Sequence, residues 1–186
     1  MDGSQIDAYL GQIHMKDPLT GDHCNKAAGY ALRLGRELDL SPEELDVLEQ
    51  AAILHDLGKL KVPDDILLKP SSLTEEEYEV IKCHPVWGAD MIATSPGAGP
   101  ERVDVAQVVR YHHERFDGRG YPEGLTATEI PFLAQIVAVA DAFDAMTSDR
   151  PYRPALPLQR AREVLLQERG KQFNPDLVDR FVALIA

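Results

Sequence analysis

Residues 130–147 read IPFLAQIVAVADAFDAMT. From Ile130 to Met146 nearly every position is apolar, and only Gln135, Asp141 and Asp144 interrupt the run before Thr147. A helix that is apolar all round has no face to offer water, so this stretch is predicted to run through the centre of the core. Asp141 is the exception that points to chemistry. An unpaired carboxylate in that setting is strongly unfavourable, so it needs an arginine, a helix end or a metal as partner.

The flanking sequence is helical too. A short helix is expected from Ser4 to about His14, followed by a break at Asp17-Pro18-Leu19-Thr20-Gly21. Ala27, Tyr30, Ala31, Leu34 and Leu38 then recur at helical spacing. Ser41-Pro42-Glu43-Glu44 combines a capping serine, a proline at the first position and a glutamate three after the cap. That helix should run to His55-Asp56 and end at Gly58. Thr74-Glu75-Glu76-Glu77 repeats the capping signature and starts a helix through Ile81 and His84, which Pro85 should kink or interrupt. A loop at 95–100 precedes a helix carrying Val105, Val108 and Val109 to His112-His113. Residues 114–128, rich in glycine, form a long ordered loop of the kind that carries function. Two more helices follow, from Pro157 to Glu168 and from Asn174 to Ile185. No strand, repeat or linker is evident. The expectation is a single compact all-α domain over residues 1–186, of about seven to eight helices, with residues 1–16 as lead-in and 17–186 as core.

Composition narrows the function. The chain of 186 residues carries a net charge of −12. Binding to bulk nucleic acid or to an anionic membrane surface is therefore disfavoured. No apolar run reaches the roughly 20 residues of a membrane span, and the N-terminus lacks a signal-peptide pattern, so a cytoplasmic location is expected. Cys24 and Cys83 are too few for a disulfide framework. Each neighbours a histidine, and each is read as a small packing residue, with redox sensitivity as the sharper alternative.

The titratable residues are unusually ordered. His55-Asp56 is followed by Gly58-Lys59, and further on come His84, the pair His112-His113, and Asp141. Imidazole nitrogens and carboxylate oxygens suit borderline to hard divalent metals. A carboxylate has two oxygens and can bridge two ions. Two ions about 3.5–4 Å apart with a hydroxide between them form a recurring device for cleaving phosphate esters. A lone histidine on an apolar face is more often a core residue. Adjacent ones at a helix end, before a glycine-rich loop, are harder to explain that way. His14 lacks such a context.

The same residues carry a resemblance. The stretches His55-Asp56-Leu57-Gly58-Lys59, Pro63-Asp64, Lys69-Pro70 and His84-Pro85 with Gly88 follow one another in order. After them come His112-His113-Glu114-Arg115, the run from Asp117 to Pro122, and the run from Asp141 to Arg153. Together they resemble the HD-GYP domain, the branch of the HD metal-dependent phosphohydrolases that cleaves cyclic dinucleotides, chiefly cyclic di-GMP. The resemblance implies two divalent transition metals, iron or manganese, with a bridging hydroxide. His23, His55, Asp56, His84, His112, His113 and Asp141 match the ligands, and Asp56 matches the bridging one. Lys59 matches a lysine near the scissile phosphate. Asp17, Tyr121, Asp144, Arg150 and Arg153 match positions that contact substrate or organise the site. The resemblance further implies that the Asp117–Pro122 loop, with Tyr121 and Pro122, shapes the cleft and could engage a protein partner.

Some positions depart from the family. Members with a third metal have a glutamate where Leu19 stands, so two ions are expected. Lys26 and Gln135 occupy positions where arginine is common. Two other readings stay open: a hydrolase of another nucleotide or cyclic dinucleotide, and a non-enzymatic module that binds a signalling partner.

Overall fold

The computed structural model describes residues 1, 3–96, 101–149 and 153–185. Among these the protein is all-α, with no strand beyond two isolated bridges. In order the helices are α1 (Gly3–Lys16), α2 (Pro18–Glu37), α3 (Pro42–Leu54), α4 (Asp64–Leu67), α5 (Glu75–Ile81), α6 (His84–Thr94), α7 (Glu101–Tyr111), α8 (Phe132–Thr147), α9 (Leu158–Gln167) and α10 (Pro175–Leu184). Two 3-10 turns, Leu57–Lys61 and Ala127–Glu129, complete the set.

Helix α8 is the central element. Ala134, Ile136, Val137, Val139 and Ala140 are all fully buried. Each large aliphatic side chain withdrawn in this way contributes about 1.5–3 kcal/mol. Phe143 packs edge-on against Tyr30 at 4.8 Å and Phe181 at 5.1 Å, which ties α8 to α2 and α10. Such pairs add about 0.5–1.5 kcal/mol beyond burial. The polar residue Gln135 is satisfied: it donates to the carbonyls of Ala127 and Ile130 and accepts from Asn174.

Both capping boxes form in full. The Ser41 hydroxyl accepts from the Glu44 N–H, and the Glu44 carboxylate accepts from the Ser41 N–H; Thr74 and Glu77 do the same. Three local expectations are corrected. The break at residues 17–21 shrinks to Asp17 alone, because Pro18 needs no N–H at the first helical position and α2 starts there. Of the two outcomes expected at Pro85, the helix is interrupted and not kinked, and the interruption comes before His84. Pro85 lies in the first turn of α6, after α5 has ended at Ile81, so the expected single helix is two. Helix α3 stops at Leu54, and residues 57–61 wind into a 3-10 turn instead of continuing it. The expected loop at 95–100 is described only at Ser95 and Pro96; residues 97–100 lie outside the described set.

Candidate metal centre

Three helices deliver histidines by the same device. His55 follows α3, His84 follows α5 and His112 follows α7, each within three residues of the helix end. The last carbonyls of a helix lack intrahelical partners. Each histidine uses one: Nδ1 of His55 donates to the Ala52 carbonyl at 2.8 Å, that of His84 to Ile81 at 2.7 Å, and that of His112 to Val109 at 2.7 Å. A carbonyl can only accept, so the ring proton is on Nδ1 in all three. The lone pair is then on Nε2, and all three Nε2 atoms are buried with no hydrogen-bond partner. Leaving such an atom unsatisfied costs about 1–3 kcal/mol. Three in one cluster are strong physical grounds for a bound cation. The negative ends of the helix dipoles favour one as well.

His23 arrives differently, from the middle of α2. Its Nδ1 bonds Asp144 Oδ2 at 2.6 Å and its Nε2 bonds Asp141 Oδ1 at 2.9 Å. The rings form a continuous chain. Centroids lie 5.3 Å apart for His23–His55, 5.0 Å for His55–His112 and 5.4 Å for His84–His112; His113 adjoins His84 at 5.0 Å and His112 at 4.1 Å.

Two triads emerge. His23, His55 and Asp141 form one, and His84, His112 and His113 the other; within each the potential ligand atoms lie within 4.8 Å of one another. Asp56 stands between them. Its Oδ1 is 3.3 Å from His84 Nε2 and its Oδ2 is 3.5 Å from His55 Nε2. Lys59 Nζ donates to that Oδ2 at 2.6 Å. Cys24 also lies near His55 and Asp56. Its thiol is fully buried, and that burial holds its pKa well above the ordinary value, which marks it as a packing residue. Cys83 is half-buried, and its thiol donates to the Glu79 carbonyl.

The electrostatics fit a cation. Burial holds His55 below and His112 well below the usual histidine range, and burial beside His84 takes His113 down to about 3. Neutral imidazole is the form that binds metal. Burial also opposes the charge on Asp56 and Asp141, yet both are held well below the carboxylate range, Asp56 by Lys59 and His55 and Asp141 by its bond to His23. Burial pulls His23 down, but its bonds to Asp141 and Asp144 prevail and raise it to about 9 in the metal-free protein. The donor set is nitrogen and oxygen, as for divalent transition metals, and the residues present fit such an ion.

Several expected substrate contacts have other occupations. Asp17 caps α2: Oδ1 accepts from the Leu19 N–H and Oδ2 from the Thr20 hydroxyl. Asp144 is 1% exposed and holds the back of His23 while accepting from Ser148, so it organises the site and does not face a substrate. Arg153 donates to the Ala145 carbonyl and caps the end of α8. Arg150 lies outside the described residues. Tyr121 does reach the site, with its ring 4.9 Å from His113 and Lys82 Nζ 5.5 Å from the ring centre. Leu19 is half-exposed on the first turn of α2, and His14 is on the surface. Lys82 was not anticipated, and it sits two residues before His84 in a stretch read only for its helix.

A family model described as HD domain matches residues 11–177, and the chain belongs to that family. Its HD-GYP branch is the one the motifs indicated, and relatives bear this out. The cyclic di-GMP phosphodiesterase response regulator RpfG of Xanthomonas campestris pv. campestris is 42% identical over 90% of this chain and 44% of its own length. A cyclic di-GMP phosphodiesterase of Thermotoga maritima is 40% identical over 91% of this chain and 45% of its own. The chain thus spans less than half the length of these curated relatives. A solved cyclic GMP-AMP specific phosphodiesterase of Vibrio cholerae shares the fold, with a TM-score of 0.73 at 20% identity over 97% of this chain and 48% of that one. No helix among the described residues is long and apolar enough to cross a membrane.

Proposed function

We propose that this chain is a metal-dependent phosphodiesterase that opens cyclic di-GMP to the linear dinucleotide. The observation that carries the reading is Asp56, whose two oxygens face two different histidine sets. His23, His55 and Asp141 would hold one ion, His84, His112 and His113 the other, and Asp56 would join them. Two ions of iron or manganese, when bound, supply an activated water as nucleophile and neutralise phosphate charge. The relatives in Xanthomonas and Thermotoga support the choice of substrate. A Vibrio cholerae relative named 3'3'-cGAMP-specific phosphodiesterase 2, 35% identical over 90% of this chain, favours a second reading, cleavage of cyclic GMP-AMP.

The protein's own groups have separable tasks. Asp144 holds the Nδ1 side of His23 and so aims its Nε2. Burial raises the Tyr121 hydroxyl far above its ordinary pKa, so Tyr121 stays neutral, a stacking wall and donor and not a base. Burial lowers the Lys59 pKa, but its charge partner Asp56 outweighs this and keeps it a cation beside the carboxylate that stands between the triads.

Protein loaded anaerobically with Mn²⁺ or Fe²⁺ is expected to hold two ions per chain and to convert cyclic di-GMP to the linear product. One or three tightly bound ions would overturn the count. Full occupancy without any product would point to a partner-binding module, and faster turnover of cyclic GMP-AMP to the second reading. Lys59→Ala should lower kcat by roughly 100-fold, the scale of one preorganised charge partner, while KM and metal content stay within about twofold. Loss of metal in that variant would make Lys59 a support for Asp56 and not a charge partner of the phosphate.

A further inference from the structure

Glu114 is buried, at 3% exposure, immediately after the histidine pair. Its carboxylate is occupied entirely with one short stretch of backbone. Oε1 accepts from the N–H groups of Glu123 at 2.7 Å and Gly124 at 3.0 Å, and Oε2 from that of Leu125 at 3.0 Å. A carboxylate taken out of water needs such donors, and an unpaired one is costly.

The rest of the loop is held by other means. Its stem is fixed where Phe116 N–H donates to Gln172, Asp117 N–H to Lys171 and Ala127 N–H to Phe116. Arg115 adds a two-pronged bond to Asp117. Arg110 grips the Glu123 side chain with a two-pronged bond, so what Glu114 adds is the hold on the backbone of 123–125. The tip turns back onto the histidine pair, with Tyr121 N–H donating to the His113 carbonyl at 3.2 Å. Gly120 allows this approach: a Cβ there would lie 2.3 Å from Arg115 N and 2.6 Å from His113 O.

We propose that Glu114 is a positioning residue, a latch whose carboxylate pins residues 123–125 and so holds Tyr121 between His113 and Lys82 as a wall of the substrate cleft. The latch is read from geometry, and only the identity of the substrate rests on the function proposed above. Removing the latch loosens the backbone of 123–125, with the tip then held only through Arg110 and the Tyr121 N–H, and leaves the stem, the ligands and the core in place. A residue needed only for folding would not show that division.

The test uses the full chain loaded with Mn²⁺, as Glu114→Ala and as Glu114→Gln. Hydrogen exchange at the amides of 123–125 should speed up at least tenfold in Glu114→Ala, with α2 and α8 unchanged. KM for cyclic di-GMP should rise at least tenfold, with kcat changing less than threefold and two ions retained. Glu114→Gln keeps one accepting oxygen and should recover part of both effects. Unchanged exchange at 123–125 overturns the latch. Faster exchange at an unchanged KM overturns its role in the cleft. If Glu114→Ala fails to fold, Glu114→Gln decides: loss of metal or global exchange there makes the residue structural. Wild-type protein that cleaves no cyclic dinucleotide refutes the proposed function, and exchange alone then decides the latch.

Discussion

Asp56→Ala is expected to bind neither metal ion and to lose phosphodiesterase activity by more than about 1,000-fold, since a single preorganised charge partner already contributes about 100- to 1,000-fold. The carboxylate is 2% exposed, and its two oxygens are divided between His84 on one side and His55 on the other. No other carboxylate among the described residues is placed to replace it at both, because Asp141 is committed to His23 and lies 3.9 Å from His55. The variant also strands Lys59, whose ammonium then lacks its partner at 2.6 Å. Breaking a buried pair from one side costs about 3–5 kcal/mol, so the metal-free variant should also melt earlier. Asp56→Asn separates the two effects: it keeps shape and one oxygen but loses charge. It should melt later than Asp56→Ala and still fail to hold two ions. Elemental analysis with a turnover assay on both variants checks this. Two ions retained in Asp56→Ala would mean that Asp56 is not shared between the sites.

The parts of this centre differ in how readable they are. The ligand candidates were legible because adjacent histidines at helix ends, and a carboxylate inside an apolar helix, each break a local rule that a metal can explain. The capping boxes at Ser41 and Thr74 were legible because both partners lie within four residues. The roles of the residues expected to contact substrate or organise the site were less readable, although Tyr121 does adjoin His113 and Asp144 does support His23. Asp17, Asp144 and Arg153 are polar residues near the motifs, but where a side chain points is decided by the nearest unsatisfied group. For Asp17 that is the start of α2, for Arg153 the end of α8, and for Asp144 the back of His23 from another helix. Glu114 was quoted within a motif without a role, since its partners lie nine to eleven residues on. A glutamate directly before a glycine-rich turn was the available signal.

Gly58 shows the same limit and yields the second strong prediction. In sequence it reads as a helix terminator. In the structure it is not among the glycines with positive φ, which are Gly118, Gly124 and Gly170, so left-handed backbone is not its reason. Its reason is proximity: a Cβ on residue 58 would lie 1.9 Å from the His84 carbonyl oxygen and 2.6 Å from the Gly88 nitrogen. Those are backbone atoms and cannot rotate away, so Gly58→Ala must push α6 off the 57–61 turn. Helix α6 begins with His84, so the displacement separates His84 from Asp56, the link between the two triads. Overpacking costs about 1–3 kcal/mol and occasionally more, and a rigid backbone clash belongs at the upper end. For a chain of this size that lowers Tm by roughly 6–12 °C. The ion expected at His84, His112 and His113 should be lost or weakened first, with that at His23, His55 and Asp141 retained longer. Gly88→Ala is the control across the same contact. Its Cβ would meet Gly58 N and the movable Val109 side chain, each at 3.1 Å, so a small adjustment relieves it and the loss should stay near 1 kcal/mol. Thermal melts and metal titrations of the two variants decide the matter. A Gly58→Ala protein that melts like wild type and holds both ions would show that α6 and the turn can part without disturbing the centre.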